Sequence, residues 1–251
     1  MSNDRQDKIV KQAAQVVELL EFFAKTGQPA TLSQVSTKLN WPRSSTYNLL
    51  STLTRLGYLY EPTPKGGLYP STKWATIIEQ IHLSQPPSEA IQDMLEYLSE
   101  KTGETAVLGV ASGTEALFLQ VCESSDYVKF AAKVGQTIPL YTTVIGLALL
   151  SQMPSSQRKR VLKKTSFKKF TDETLMSTED VENVIAASLD RGWFGSSGRF
   201  AENLSGVALP LDTQPYNYAI LVSGPTERMS ERMEYVADLM RKAAKKFLNV
   251  E

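Results

Sequence analysis

One cysteine and one histidine occur in 251 residues, and neither sign of charge is in excess, with 27 basic residues against 27 acidic ones. A lone thiol, Cys122, excludes an intramolecular disulfide. A lone imidazole, His82, leaves no second histidine to build a metal site or orient a hydrolytic triad. Long apolar runs are also missing. The strongest, around Thr143 to Leu150, stops well short of the ~20 residues that span a bilayer. Met1 is followed by a polar stretch without the apolar core of a signal peptide. The expectation is a cytoplasmic protein with no metal, no cofactor and no membrane partner. What is present, 42% hydrophobic and 22% charged residues, is the balance of a soluble protein with one large domain or two small ones.

A break in composition falls at His82-Leu83-Ser84-Gln85-Pro86-Pro87-Ser88, where two prolines interrupt a helical pattern and Ser88 can cap the next helix. Before it stand nine basic and six acidic residues, a net of +3, which leaves −3 for the rest of a neutral chain. The expected division is residues 1–70, a linker helix over 71–87, and a second domain over 88–251. The basic excess lies on the first of these, where a nucleic-acid partner would need it.

In the first domain Val10, Ala13, Val17, Leu20 and Phe23 recur at helical spacing and predict a helix over Lys8 to Lys25, ended by Gly27 and Pro29. Thr31 opens a short helix with Leu32, Val35 and Leu39 inward. Asn40-Trp41 turns the chain, and Pro42 suits the first position of a third helix running to Leu56. On that helix Tyr47, Leu50 and Leu53 can face the core, while Arg43, Ser44, Ser45, Asn48 and Thr52 fall opposite. An arginine, small hydroxyls and an amide on a second helix can enter a groove and reach phosphates and base edges. Tyr58-Leu59-Tyr60 and Gly67-Leu68-Tyr69 flank a Pro- and Gly-rich turn carrying Lys65, which reads as a two-stranded wing with a cation at its tip. The pattern is a winged helix-turn-helix. The competing reading is a small packed module without DNA.

Ile91, Met94, Leu95 and Leu98 define an amphipathic helix from Ser88 to Thr102, which Gly103 can end. Strands are expected at Thr105 to Ala111, Ala116 to Cys122, Val128 to Val134, Ser205 to Leu209 and Tyr218 to Val222. Helices are expected at Thr143 to Met153, Ser155 to Lys164, Ser177 to Arg191 and Thr226 to Phe247. Hairpins mixed with helices, rather than regular βαβ alternation, place the domain in the α+β class.

Thr102-Gly103-Glu104-Thr105-Ala106, the run Pro139 to Leu150, and Ser223-Gly224-Pro225 with Arg228 resemble, in order and spacing, the effector domain of IclR-type bacterial transcriptional regulators. Pro42 to Leu50 is similar to that family's recognition helix, so the resemblance covers essentially the whole chain. It implies a repressor that binds palindromic double-stranded promoter DNA as a homodimer or a dimer of dimers. It further implies a GAF/PAS-like domain with a curved antiparallel sheet and a pocket for a small organic acid. By the same resemblance Arg43, Ser44, Ser45 and Asn48 touch DNA, with Thr52 and Lys65 beside them. The pocket positions fall on Tyr127, Phe130, Ile138, Val144, Ile145, Ser196, Leu204, Gly206, Leu221 and Ser223. Where the family carries an acidic stretch and a following cysteine, this chain has Ser196-Ser197-Gly198-Arg199 and Gly206. Losing those groups while gaining Tyr127, Phe130 and Leu221 predicts a larger, more apolar cavity suited to an aromatic acid. Its carboxylate would meet the helix start at Val144 and Ile145, or Arg199 as a bidentate clamp.

Chemistry beyond binding finds little footing. Gly195-Ser196-Ser197-Gly198 lacks the lysine and spacing of a phosphate loop. Cys122 reads as a small apolar strand residue, and the basic run Arg158 to Lys169 as a solvated face. The chain is therefore expected not to be an enzyme. The alternative is a small-molecule enzyme with an N-terminal helical oligomerisation module, using Ser196, Ser223 or Glu104.

Overall fold

The computed structural model describes residues 9–84, 89–213 and 216–248, apart from the side chains of residues 82–84, 212, 213 and 216. His82 as a side chain, Ser88 as a cap and the Pro86-Pro87 break lie outside the described residues. The chain forms two compact units, Met1–Pro86 and Pro87–Glu251.

In the first unit, helices α1 (Lys11–Thr26), α2 (Leu32–Lys38) and α3 (Arg43–Arg55) are followed by the short strands β1 (Leu59–Tyr60) and β2 (Tyr69–Pro70) and by α4 (Lys73–Ser84). Thr31 and Gln34 form a reciprocal capping box at the start of α2, which satisfies two otherwise free N–H groups. Asn40, at φ +53°, makes the tight passage to α3, with Pro42 as its N-cap. Leu19, Phe23, Val35, Trp41, Leu50 and Leu53 form one core with Leu59 from the wing. The wing pairs Leu59 with Pro70 and Tyr60 with Tyr69, and a bridge from Ala30 to Leu68 ties it to the helices.

Two helix faces differ from those expected. On α1 the buried positions are Gln15, Leu19 and Phe23, while Val10 and Val17 are exposed. On α3 the third inward position beside Leu50 and Leu53 belongs to Thr46, and Tyr47 is 60% exposed. Thr46 can be buried because its hydroxyl donates to the carbonyl of Pro42 one turn back, at 2.9 Å, so no polar group is left unpaired.

The second unit begins with α5 (Glu89–Thr102), whose Ile91, Met94, Leu95 and Leu98 are all buried as expected. It continues with β3 (Thr105–Ser112), β4 (Glu115–Cys122), β5 (Thr137–Pro139), α6 (Val144–Ser151), α7 (Ser155–Lys164), α8 (Thr178–Arg191), β6 (Phe194–Ser197), β7 (Leu204–Thr213) and β8 (Tyr216–Pro225). A short helix α9 (Thr226–Met229), a 3₁₀ turn and α10 (Met233–Leu248) close it. The strands form a single antiparallel sheet in the order β5-β4-β3-β8-β7-β6. Alternation along β8 explains its two faces. Ile220 and Val222 pack with α5 and α10, while Ala219 and Leu221 pack with α6 and α8. α6 is apolar all round and buried from Val144 to Leu150, as a helix sandwiched inside a core must be.

Val128 to Val134 is not a strand. Its carbonyls are taken by side chains instead of by a neighbouring ladder: Thr105 Oγ1 donates to the Phe130 carbonyl at 2.7 Å, and Arg228 Nη2 to that of Val128 at 2.9 Å. The edge strand is formed a few residues later, by β5. Conversely Phe194–Ser197, where the sequence pattern predicts no strand, pairs with β7 as β6. Cys122 ends β4 half-buried.

Candidate functional site

The first unit offers a polar side of one helix. Arg43, Ser44, Asn48 and Thr52 are exposed along one side of α3 and Ser45 is half-buried, its hydroxyl donating to the Pro42 carbonyl at 2.9 Å. Tyr47, assigned to the core from its spacing, stands on the outer surface among these residues. Sequence reasoning missed it because an aromatic at i−3 from Leu50 reads as core, and only the hidden hydroxyl of Thr46 reveals which residue goes inside. At the wing tip Lys65 adopts φ +62°, and its N–H donates to Glu61 Oε1 at 2.7 Å, which leaves the ammonium on an exposed turn.

The second unit offers a concavity. A cavity of about 390 Å³, open mouth included, is lined by apolar groups of Phe130, Ile138, Val144, Ile145, Phe200, Leu204 and Leu221. Polar groups reach it from Thr142, Thr143, Ser196, Arg199, Ser205 and Ser223. Its floor is one cross-strand row of the sheet: Ser196 lies opposite Gly206, and Gly206 opposite Ser223. A Cβ on Gly206 would sit 3.1–3.2 Å from Leu221 Cδ1 and Ser223 Oγ, so glycine there holds the floor open.

One wall is the start of α6. Thr143 caps it, accepting from the Gly146 N–H at 3.2 Å and donating to the Pro139 carbonyl at 2.6 Å. The N–H groups of Val144 and Ile145 precede the first intrahelical bond, which is where a helix attracts anions. Gly146 fixes this end in place, since a Cβ on it would come within 2.3 Å of the Leu140 carbonyl oxygen. The buried hydroxyl of Thr142, beside the cap, finds no hydrogen-bond partner.

Opposite chemistry comes from Arg199. The hydroxyls of Thr171 and Thr174 each donate to its carbonyl at 3.1 Å and fix its backbone. Its guanidinium Nη1 is buried without a partner. Burial pushes the guanidinium pKa down, Glu173 draws it back up and Arg191 lowers it further. A buried cation with a free donor calls for an anion.

Nine of the ten pocket positions taken from the resemblance line this one cavity, and so does Arg199, singled out separately for its guanidinium. The exception is Tyr127, whose side chain is fully exposed. It immediately precedes Val128, whose carbonyl is held by Arg228, and the aromatic ring that this segment turns inward is that of Phe130, against Phe118. Thr142, Thr143, Phe200 and Ser205 were missed. Thr142 and Thr143 were hidden inside a motif read for its helix, and Phe200 lies in a loop without periodicity.

An ion pair between a buried carboxylate and a one-third-exposed guanidinium holds the segment that leads to Phe130. Glu104, 1% exposed, receives Arg228 Nε at 2.7 Å and Nη2 at 2.8 Å in a bidentate bond, and the same Nη2 holds the Val128 carbonyl. The hydrogen bond to Glu104 pushes the Arg228 pKa up against the smaller effect of burial. Glu104 thus has a structural partner and does not face the cavity as a free acid. Among the described residues no group of three or more His, Cys, Asp or Glu side chains could hold a metal, and no helix is long and apolar enough to cross a membrane.

Comparison with known proteins places these two surfaces in one context. Residues 82–248 match the family model for the C-terminal domain of bacterial IclR transcriptional regulators, and residues 13–62 the model for the IclR helix-turn-helix domain. The transcriptional repressor AllR of Klebsiella pneumoniae is 23% identical over 248 residues, 96% of this chain and 91% of that protein. The crystal structure of the Thermotoga maritima IclR superposes with a TM-score of 0.75 at 19% identity, covering 94% of this chain and 97% of that one. An IclR homologue from Microbacterium hydrocarbonoxydans, crystallised with 4-hydroxybenzoate, has a TM-score of 0.66 at 21% identity, covering 93% and 96%. At these identities the structures establish a shared fold.

Proposed function

Since the chain belongs to the IclR family of DNA-binding bacterial transcriptional regulators, we propose that it is a repressor whose hold on promoter DNA is set by an aromatic carboxylic acid in the C-terminal cavity. The observation that carries this reading is the pairing of the unpartnered Arg199 Nη1 and the first N–H groups of α6 with a cavity whose apolar walls include Phe130 and Phe200. Cation and helix terminus suit a carboxylate, and the aromatic edges suit a ring. The 4-hydroxybenzoate bound by the Microbacterium homologue supports the same class, and the name of AllR supports repression.

In this reading Arg43, Ser44, Ser45, Asn48 and Thr52 enter the major groove of a palindromic site and Lys65 meets the adjacent phosphates. The three parts are a DNA-binding region over 1–70, a linker helix over 71–87 and an effector domain over 88–251. The protein acts in the cytoplasm as a homodimer or dimer of dimers. Exposed apolar side chains on α1 (Val17) and α4 (Ile78, Ile81) favour such pairing. It binds its acid without transforming it. Effector and operator then change each other's affinity by the same factor.

A thermal-shift series with benzoate, 4-hydroxybenzoate, glyoxylate and pyruvate tests the proposal, since a ligand at 100 times its Kd adds about 2.7 kcal/mol. Aromatic acids should raise the midpoint, and Arg199→Ala should weaken their binding about tenfold to a hundredfold. A response to glyoxylate and pyruvate alone would overturn the aromatic reading. No response to any acid would overturn the carboxylate. Recovery of the acid unchanged after long incubation is expected, and turnover would favour the enzyme alternative.

A further inference from the structure

A second recess, inside the first unit, lies between α1 and α3. Lys11, Gln12 and Gln15 line one side and Ser45, Asn48 and Thr52 the other. Three features of it point to an anion. Among the described residues its lining includes a lysine and no carboxylate. The N-cap residue Val10 gives α1 no side-chain hydrogen bond, so the first-turn N–H groups of this sixteen-residue helix receive nothing from their cap. Gln15 is 5% exposed, and its Nε2 is buried without a partner on the wall of the recess. A buried amide left unpaired costs stability, and such groups in native folds usually have a use.

The opposite wall belongs to the polar side of α3. A duplex lying against Asn48 and Thr52 would bring its sugar-phosphate backbone to the recess. We propose that the recess seats one DNA phosphate, held by Lys11, the start of α1 and the Gln15 amide, and that it fixes how deeply α3 enters the groove. The inference rests on the DNA-binding reading of α3. Its content is an assignment of three α1 groups that spacing along α3 does not reach. The contact is to the backbone, so it positions the protein without reading sequence.

The test measures binding of the full-length protein to two duplexes, one selected from a random pool and one of scrambled sequence, across a range of salt. Lys11→Ala should lower the slope of log K against log salt by about 0.9 and weaken both duplexes equally, about fivefold at 0.15 M salt. Gln15→Leu removes a neutral donor of similar size. It should weaken both duplexes about tenfold with the slope unchanged. Its thermal midpoint should stay level or rise, because the unpaired amide is gone, and a merely structural glutamine would not give that combination. An unchanged slope in Lys11→Ala, or a loss in Gln15→Leu confined to the selected duplex, would overturn the phosphate seat. Failure of the unaltered protein to bind either duplex would instead overturn the DNA-binding reading beneath it.

Discussion

The two units of this chain solve recognition in opposite ways. The first presents its working groups outward, on one face of one helix, with a core behind them that does not depend on their identity. Asn48 and Thr52 can change without disturbing Leu50 or Leu53. The second turns its working groups inward and collects them from four strands (β5, β6, β7 and β8), a helix start and three loops. Here Ser196, Gly206 and Ser223 belong at once to the sheet and to the cavity. A surface built on one helix is modular, whereas a cavity built from the core shares its residues with stability.

This contrast can be broken by mutation, most sharply at Glu104. Glu104→Ala leaves Arg228 without its buried bidentate partner and frees the segment that carries Phe130. Arg228 is 34% exposed and keeps Asp126 at 3.5 Å, so it is not left as a buried charge, and the expected cost is that of its lost charged hydrogen bonds, about 2 kcal/mol, or a fall of roughly 4–8 °C in the calorimetric midpoint of the second unit. A midpoint unmoved by the change would mean that the cavity has no buried framework and that the contrast fails.

Asn48→Ala should show the reverse. Stability should shift by less than about 0.5 kcal/mol, while discrimination between operator variants at one base pair should drop by about 1–3 kcal/mol in competition binding. Loss of folding instead would show that α3 is not modular.

The smallest effect concerns acid. Arg158 donates to Glu182 from both Nε and Nη2, at 2.7–3.1 Å, and this bond holds the Glu182 carboxyl below the usual carboxylate range, ahead of the opposing effect of burial. A depressed folded pKa contributes stability that is present above the unfolded value of about 4.3 and is lost as pH falls through the lower folded value. Arg158→Ala should therefore cost under about 1 kcal/mol at pH 7. The difference from the unaltered protein in urea midpoint should close as pH is taken below 4. A gap that persists undiminished would mean that Arg158 acts through its bonds to the Leu150 and Met153 carbonyls instead.

The same contrast governs what was legible in the sequence. α5 could be read residue by residue, because a two-sided helix on a sheet obeys a 3.6-residue period. The polar side of α3 was legible for the same reason. Tyr47 and Gln15 were not: each depends on a hydrogen bond or its absence rather than on polarity, Thr46 hiding its hydroxyl and Gln15 burying an amide unpaired. In the second unit the alternation Val128-Lys129-Phe130 mimics a strand, and nothing local reveals that Thr105 and Arg228 claim its carbonyls from 25 and 100 residues away. The pocket positions came from resemblance, since side chains gathered from residues 130 to 223 leave no period to read. Tyr127, the position that fails, lies immediately before that misread segment.

Gly109 on β3 carries a consequence for how such a cavity can be retuned. It sits behind Ile145: a Cβ there would lie 2.6 Å from Ile145 Cδ1, and Ile145 lines the cavity while Gly109 does not. The volume at one backbone position is thus transmitted through a flexible side chain to the space a ligand may fill. Adding a methyl at residue 109 pushes Ile145 aside and resizes the chamber, and removing bulk at 145 enlarges it. The size of this cavity can therefore be altered at a residue that does not line it.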